Sequence, residues 1–89
     1  MNEPKPTPVI ELIMVESSQL EAYGYDPATQ TLAIRFKGHN GRRGSLYHYG
    51  NFSETEWAMF RDAESKGSHF IRKIKPHTDR YPYKRIDET

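Results

Sequence analysis

The alternation of apolar and polar positions divides the chain into short extended pieces followed by helical ones. Val9-Ile10-Glu11-Leu12-Ile13-Met14-Val15 is short and rich in β-branched residues, which predicts a strand rather than a helix. Ser17-Ser18 interrupts it, and Leu20 to Tyr25 reads as a second strand. Asp26-Pro27-Ala28-Thr29-Gln30 is a turn, because Asp accepts from its own downstream backbone and Pro presets φ for the next position. Leu32, Ile34 and Phe36 then alternate with Ala33, Arg35 and Lys37, the period of a half-buried antiparallel strand. Asn40-Gly41, within Gly38 to Gly44, is a hairpin signal. Ser45 to Gly50 returns as a strand with Tyr47 and Tyr49 on one face and Leu46 and His48 on the other.

The period then lengthens. Ser53-Glu54-Thr55-Glu56 is a capping box, with Ser53 accepting from the third helical amide and Glu56 reaching back. Trp57, Phe60 and Ala63/Glu64 follow at helical spacing, with Trp57 and Phe60 as the buried pair. Gly67 suits the left-handed position that ends a helix, and Ser68 suits the cap of the next. That second helix carries Phe70 and Ile74 on one side, carries Arg72, Lys73 and Lys75 largely on the other, and closes at Pro76. Tyr81 to Ile86 reads as an extended tail. Residues 1–8, with three prolines and no apolar periodicity, predict a disordered arm, and 87–89 a flexible end. The expected architecture is a single α+β domain over 9–86: a small antiparallel sheet of three to four strands packed against two short C-terminal helices.

Composition sharpens this picture. Only 35% of the 89 residues are hydrophobic, yet there are six tyrosines, four phenylalanines and one tryptophan. Each aromatic buries roughly 150–250 Å², so these side chains must carry the core. The absence of cysteine excludes disulfides, thiol catalysis and cysteine-ligated metals, and fits a cytoplasmic setting. No membrane segment is expected, since the longest apolar run, Val9 to Val15, is interrupted by Glu11 and falls far short of the ~20 residues a spanning helix needs. No signal peptide is expected, because Asn2 to Pro6 lacks a basic leader and no small-residue cleavage site follows. The net charge of +1 is unevenly spread: Lys66 to Arg85 holds seven basic residues and one acid, +6, which leaves −5 for the rest. Such asymmetry points to an anionic partner.

The candidate chemistry is therefore nucleic-acid binding. Arg42, Arg43, Lys66, Arg72, Lys73 and Lys75 are candidate phosphate contacts, and Tyr47 and Tyr49 candidate stacking surfaces for unpaired bases. The alternative for the tyrosines is packing beneath the helices, and for the basic residues a solvated helix face that favours the negative dipole end. Gly67-Ser68 would offer amides to a phosphate or serve as plain helix punctuation. The four histidines, at 39, 48, 69 and 77, lack tight metal spacing, so no metal and no cofactor are expected. Ser68, His69 and Asp79 do not form a nucleophile elbow, and no phosphate loop is present, so no catalytic residue is assigned.

Tyr47-His48-Tyr49, Ala63-x-Ser65-Lys66-Gly67-Ser68-x-Phe70 and Tyr81-Pro82-Tyr83, with Ser17-Ser18, Gly24-Tyr25-Asp26-Pro27 and Leu32-x-Ile34-x-Phe36 before them, resemble the KTSC domain over roughly residues 14–86. This short module occurs at the C-terminus of some lysyl-tRNA synthetases and as small stand-alone proteins of bacteria and their phages. The resemblance implies short antiparallel strands followed by helices, and no established catalytic role. The synthetase context suggests RNA binding. The chain departs from the family pattern in a longer 38–45 loop carrying Arg42-Arg43, and in Ile71, where an Asn commonly follows the Phe. The expected function is a non-catalytic nucleic-acid-binding module, for RNA more than DNA. The alternative is a protein–protein adaptor, phage-encoded and acting on a host or virion protein. In that case the Val9–Val15 edge or an aromatic patch would bind. Oligomeric state is left open.

Overall fold

A computed structural model of the chain describes residues 9–39 and 42–87. The residue 1–8 arm, the Asn40-Gly41 turn signal and the last two residues of the 87–89 end lie outside these. Five strands form one antiparallel meander in the order β1-β2-β3-β4-β5: β1 (Ile13–Met14), β2 (Leu20–Asp26), β3 (Thr31–Phe36), β4 (Leu46–Tyr49) and β5 (Tyr83–Ile86). Between β4 and β5 lie α1 (Glu54–Asp62) and α2 (Lys66–His69), and α2 runs on into a π-helical segment, Phe70–Ile74. The fold is α+β, but with five strands rather than three to four, and its helices precede a last strand instead of closing the chain. The extended tail is that last strand. Its Tyr83, Lys84 and Arg85 are all exposed, so no apolar alternation announced it.

The register assigns every side chain to a face. Tyr23, Ile34 and Tyr47 stand in one cross-strand row and Tyr25, Leu32, Tyr49 and Tyr83 in the next. Onto this face the helices pack edge-on. Phe60 meets Tyr23 at 5.2 Å and 84°. Phe70 meets Phe36 at 5.4 Å and Tyr49 at 5.5 Å. Such pairs contribute about 0.5–1.5 kcal/mol each beyond the area they bury. Phe60 is fully buried, while Trp57 is half-buried and stacks flat on Tyr25 at 5.4 Å and 13°. A bulge at Glu21 shifts the register between Leu20 and Ala22, which turns Leu20 to the helix side and leaves Ala22 on the back.

The turns follow the residue chemistry. Asp26 Oδ1 accepts from the Ala28 amide at 3.1 Å and Oδ2 from the Thr29 hydroxyl at 2.8 Å, and Gln30 closes the turn with φ 51°. Ser53 caps α1 by accepting from the Glu56 amide at 3.2 Å. The Glu56 carboxylate does not reach back to the Ser53 amide. It accepts from the Ser53 hydroxyl, from Arg80 Nη2 at 3.1 Å and from the Tyr81 hydroxyl, tying α1 to the approach to β5.

The junction between the helices differs from the sequence expectation. α1 stops at Asp62 because Ala63 turns extended (φ −65°, ψ 139°), and the cap of α2 is Ser65, which accepts from the Ser68 amide at 3.2 Å. Gly67 lies inside α2. A Cβ there would stand 2.5 Å from Gln19 Oε1 and 2.8 Å from Ser17 Oγ, so glycine is used for close approach to the β1–β2 turn, not for a left-handed backbone. Gly24 has the same role on the back of the sheet, where an added Cβ would run into the Glu11 carbonyl and the Ile10 side chain.

Two outcomes are expected. Gly24→Ala forces the 10–11 backbone off β2 and lowers the unfolding free energy by about 1–3 kcal/mol, measured by urea titration. The second concerns His48, which is buried on the back face. Burial first, and then the Lys84 ammonium, holds its imidazole below the ordinary value of 6.5. The unfolded chain therefore takes up this proton before the folded one does, so stability is fully present above about pH 6.5 and falls as pH drops below it. His48→Gln should flatten that part of the pH profile, and an unchanged slope would disprove the assignment.

Candidate nucleic-acid interface

The β3–β4 connection overhangs the helix-side face of the sheet. The Phe36 amide bonds Ser45 O at 3.0 Å, the Lys37 amide bonds Gln19 O at 2.9 Å, and Arg35 Nη1 donates to Gly44 O at 2.8 Å. A Cβ on Gly44 would collide with the Phe36 carbonyl, so only glycine lets the returning strand approach this closely. Arg42, whose amide bonds His39 O at 3.0 Å, and Arg43 are both exposed at the tip of this connection.

Beneath them lies a cavity of about 690 Å³. Its floor is aromatic. Tyr47 contacts Phe36 edge-on at 5.6 Å and Tyr83 at 5.9 Å, and Tyr83 stacks on Tyr49 at 5.6 Å and 29°. Arg42, Arg43 and Lys37 form one wall, and Lys75 with Thr78 forms the other. Tyr49 is buried against Phe70, and its hydroxyl is pushed up to about 12, by burial first and then by Tyr47 and Tyr83. It is a support for the floor, too covered to stack on a base. Tyr47 is half-buried, and Tyr83 is 52% exposed.

The groove thus gathers Arg42, Arg43, Tyr47, Tyr49 and Lys75 of the sequence candidates. Three others lie elsewhere. Lys66 Nζ donates to Ala63 O at 2.6 Å and fastens the α1–α2 junction. Lys73 turns to a separate cavity with His69 and His77, and Arg72 is exposed outside both. Of the tail cations, Lys84 stands across from His48 on the back face and Arg80 pairs with Glu56. Sequence reading missed Phe36, Lys37 and Tyr83 as groove residues. Lys37 was assigned to the solvent face by alternation, but β3 ends at Phe36 and its alternation ends with it. Tyr83 needed the β4–β5 register, which sets it opposite Tyr49. Among the described residues, no group of three His, Asp or Glu side chains could hold a metal, and no helix is long and apolar enough to cross a membrane.

The sequence profile of the KTSC domain matches residues 16–87. The chain belongs to the KTSC domain family. A KTSC domain protein of Yersinia pestis has the same fold in its crystal structure, with a TM-score of 0.75 and 29% identity, covering 89% of this chain and all of that one. A protein of Stutzerimonas stutzeri (strain A1501) is 35% identical over 75 residues, 84% of this chain and 96% of its own length. A lysine–tRNA ligase of Nostoc sp. is 38% identical over 64 residues, which is 72% of this KTSC chain but only 10% of the ligase.

Arg42 and Arg43 are exposed at the tip of the β3–β4 connection, so changing them leaves the fold intact. Arg42→Ala with Arg43→Ala should shift stability by no more than about 0.5 kcal/mol, as for exposed surface residues, in a thermal melt. A larger loss would show that these side chains are structural.

Proposed function

We propose that this KTSC domain is a non-catalytic module that binds single-stranded nucleic acid, RNA more than DNA, in the Arg42–Tyr47–Lys75 groove. One observation carries the reading: basic side chains from two separate elements wall an aromatic floor that the helices leave partly open. Single-strand binders use this combination, since cations follow the backbone and any base stacks on an aromatic face. The roughly 690 Å³ of space suits one or two unpaired nucleotides. Arg42, Arg43, Lys37 and Lys75 contact phosphates, and Tyr83 with Tyr47 takes the base. The choice of RNA leans on the Nostoc relative, whose named substrate is a tRNA. A cytoplasmic location goes with that choice.

Fluorescence anisotropy with a labelled single-stranded RNA pool tests this. Each phosphate neutralised lowers the log–log salt slope by about 0.7, so Arg42→Ala with Arg43→Ala should flatten it by about 1.4 and weaken binding. Tyr83→Ala should cost about 1–3 kcal/mol of binding with the slope unchanged. Absence of binding at micromolar protein, or binding indifferent to salt, would sink the proposal.

A second reading has its own observation. β1 is an edge strand whose Ile13 and Met14 are 61% and 73% exposed, with Val9 fully exposed before it. Such an edge suits strand addition by a protein partner, as in an adaptor to a host or virion protein. A lysate partner that survives nuclease treatment and is lost on Met14→Lys would favour it over the RNA reading.

A further inference from the structure

A second cavity, of about 360 Å³, lies on the other side of the helix end. Lys75 and Thr78 face the groove already described, whereas Lys73 and His77 face this one. His69 and Arg80 complete a set of four cationic or protonatable side chains around it, and Phe52, Met59 and Ile74 supply apolar wall. The lining contains one acid, Glu56, and its carboxylate is already taken by Arg80, by the Tyr81 hydroxyl and by the Ser53 hydroxyl. Among the described residues, neither Lys73 nor His77 has an ion-pair partner. Glu56 neutralises Arg80 within the lining, which leaves Lys73 and the two histidine rings facing a partly apolar hollow with no acid of their own among the described residues, a receptor lacking its anion.

We propose that this cavity binds a phosphate group, free or on a small phosphomonoester, through Lys73, His77, His69 and Arg80. The inference stands apart from the RNA reading, because none of these four residues lines the groove. His69 makes the site pH-sensitive. Its ring lies flat on Phe60 at 5.2 Å and 17°. Burial first, and then Lys73 and Lys66, holds its imidazole below the ordinary value. Glu56 from α1, and His77, Arg80 and Tyr81 from the turn before β5, are the other titratable or charged groups at the cavity. A bound dianion offsets the neighbouring cations and favours the imidazolium, so binding takes up a proton and tightens as pH falls.

The test is histidine-ring NMR of the intact chain titrated with inorganic phosphate, adenosine monophosphate and sulfate, against sodium chloride of equal ionic strength. Phosphate should give saturable shifts at His69 and His77. Adenosine monophosphate binding more tightly than phosphate would assign the ligand as a phosphomonoester, and equal binding would assign free phosphate. Sulfate keeps its double charge across the range, so its affinity isolates the protein's own proton, and it should be about fivefold tighter near pH 6 than near pH 8. Lys73→Gln with His77→Gln, both exposed and so compatible with folding, should weaken phosphate binding by about tenfold or more. Shifts that do not saturate, that chloride reproduces, that survive the double substitution, or that appear at His39 of the groove and not at His69 and His77 would each overturn the proposal.

Discussion

Edge-on packing of Phe60 and Phe70 onto the sheet aromatics is the contact on which the rest of the structure depends. A chain with so few aliphatic residues has little else with which to exclude water. Tyr23, Phe36 and Tyr49 come from successive strands, and the two helix phenylalanines meet them with the ring planes steeply inclined. That geometry sets where α1 and the π-helical segment lie over the sheet, because an aromatic pair loses its electrostatic complement when the rings are turned. It also explains the close approaches: Gly67 lets α2 descend to the β1–β2 turn, and Gly24 lets the leading segment close the back.

The groove is a consequence of the same layer ending. A patch of rings from two adjacent cross-strand rows covers part of the helix-side face, buried where Phe70 covers Tyr49, half-covered at Tyr47 and open at Tyr83. Core and binding floor are therefore one surface, divided only by how far the helices reach. The β3–β4 connection then places Arg42 and Arg43 over the open part, and the end of the π-helical segment brings Lys75 from the opposite side. Beyond the helix end the cations divide. Lys73, Ile74 and His77 line one cavity and Lys75 and Thr78 the other, which is why one basic cluster in sequence becomes two electrostatic features in space.

Much of the fold was legible because it depends on local chemistry. The alternation of Leu32, Ile34 and Phe36, the Asp26-Pro27 turn and the Ser53 cap each reflect interactions within a few residues. What misled were residues with two uses. Gly67 reads as a helix terminator, but it serves close packing against a turn almost fifty positions away in sequence. Glu56 reads as half of a capping box, but its carboxylate is drawn to Arg80 and Tyr81. β5 was read only as extended, since an edge strand with exposed Tyr83, Lys84 and Arg85 carries no burial pattern to reveal its pairing.

The sequence by itself determined β2, β3 and β4, the two helical pieces, the aromatic character of the core and the excess of positive charge in its second half, whereas of the expected Val9–Val15 strand only Ile13–Met14 pairs. These follow from period, capping and composition, all of which act locally or on average. Only the tertiary structure decided that the tail is a fifth strand, that Tyr49 is buried while Tyr83 is open, and that Arg42, Arg43 and Lys75 share a groove from which Lys66, Arg72 and Lys73 are absent. Those outcomes depend on register and on how far one layer covers another, and such relations join residues that no sequence pattern links.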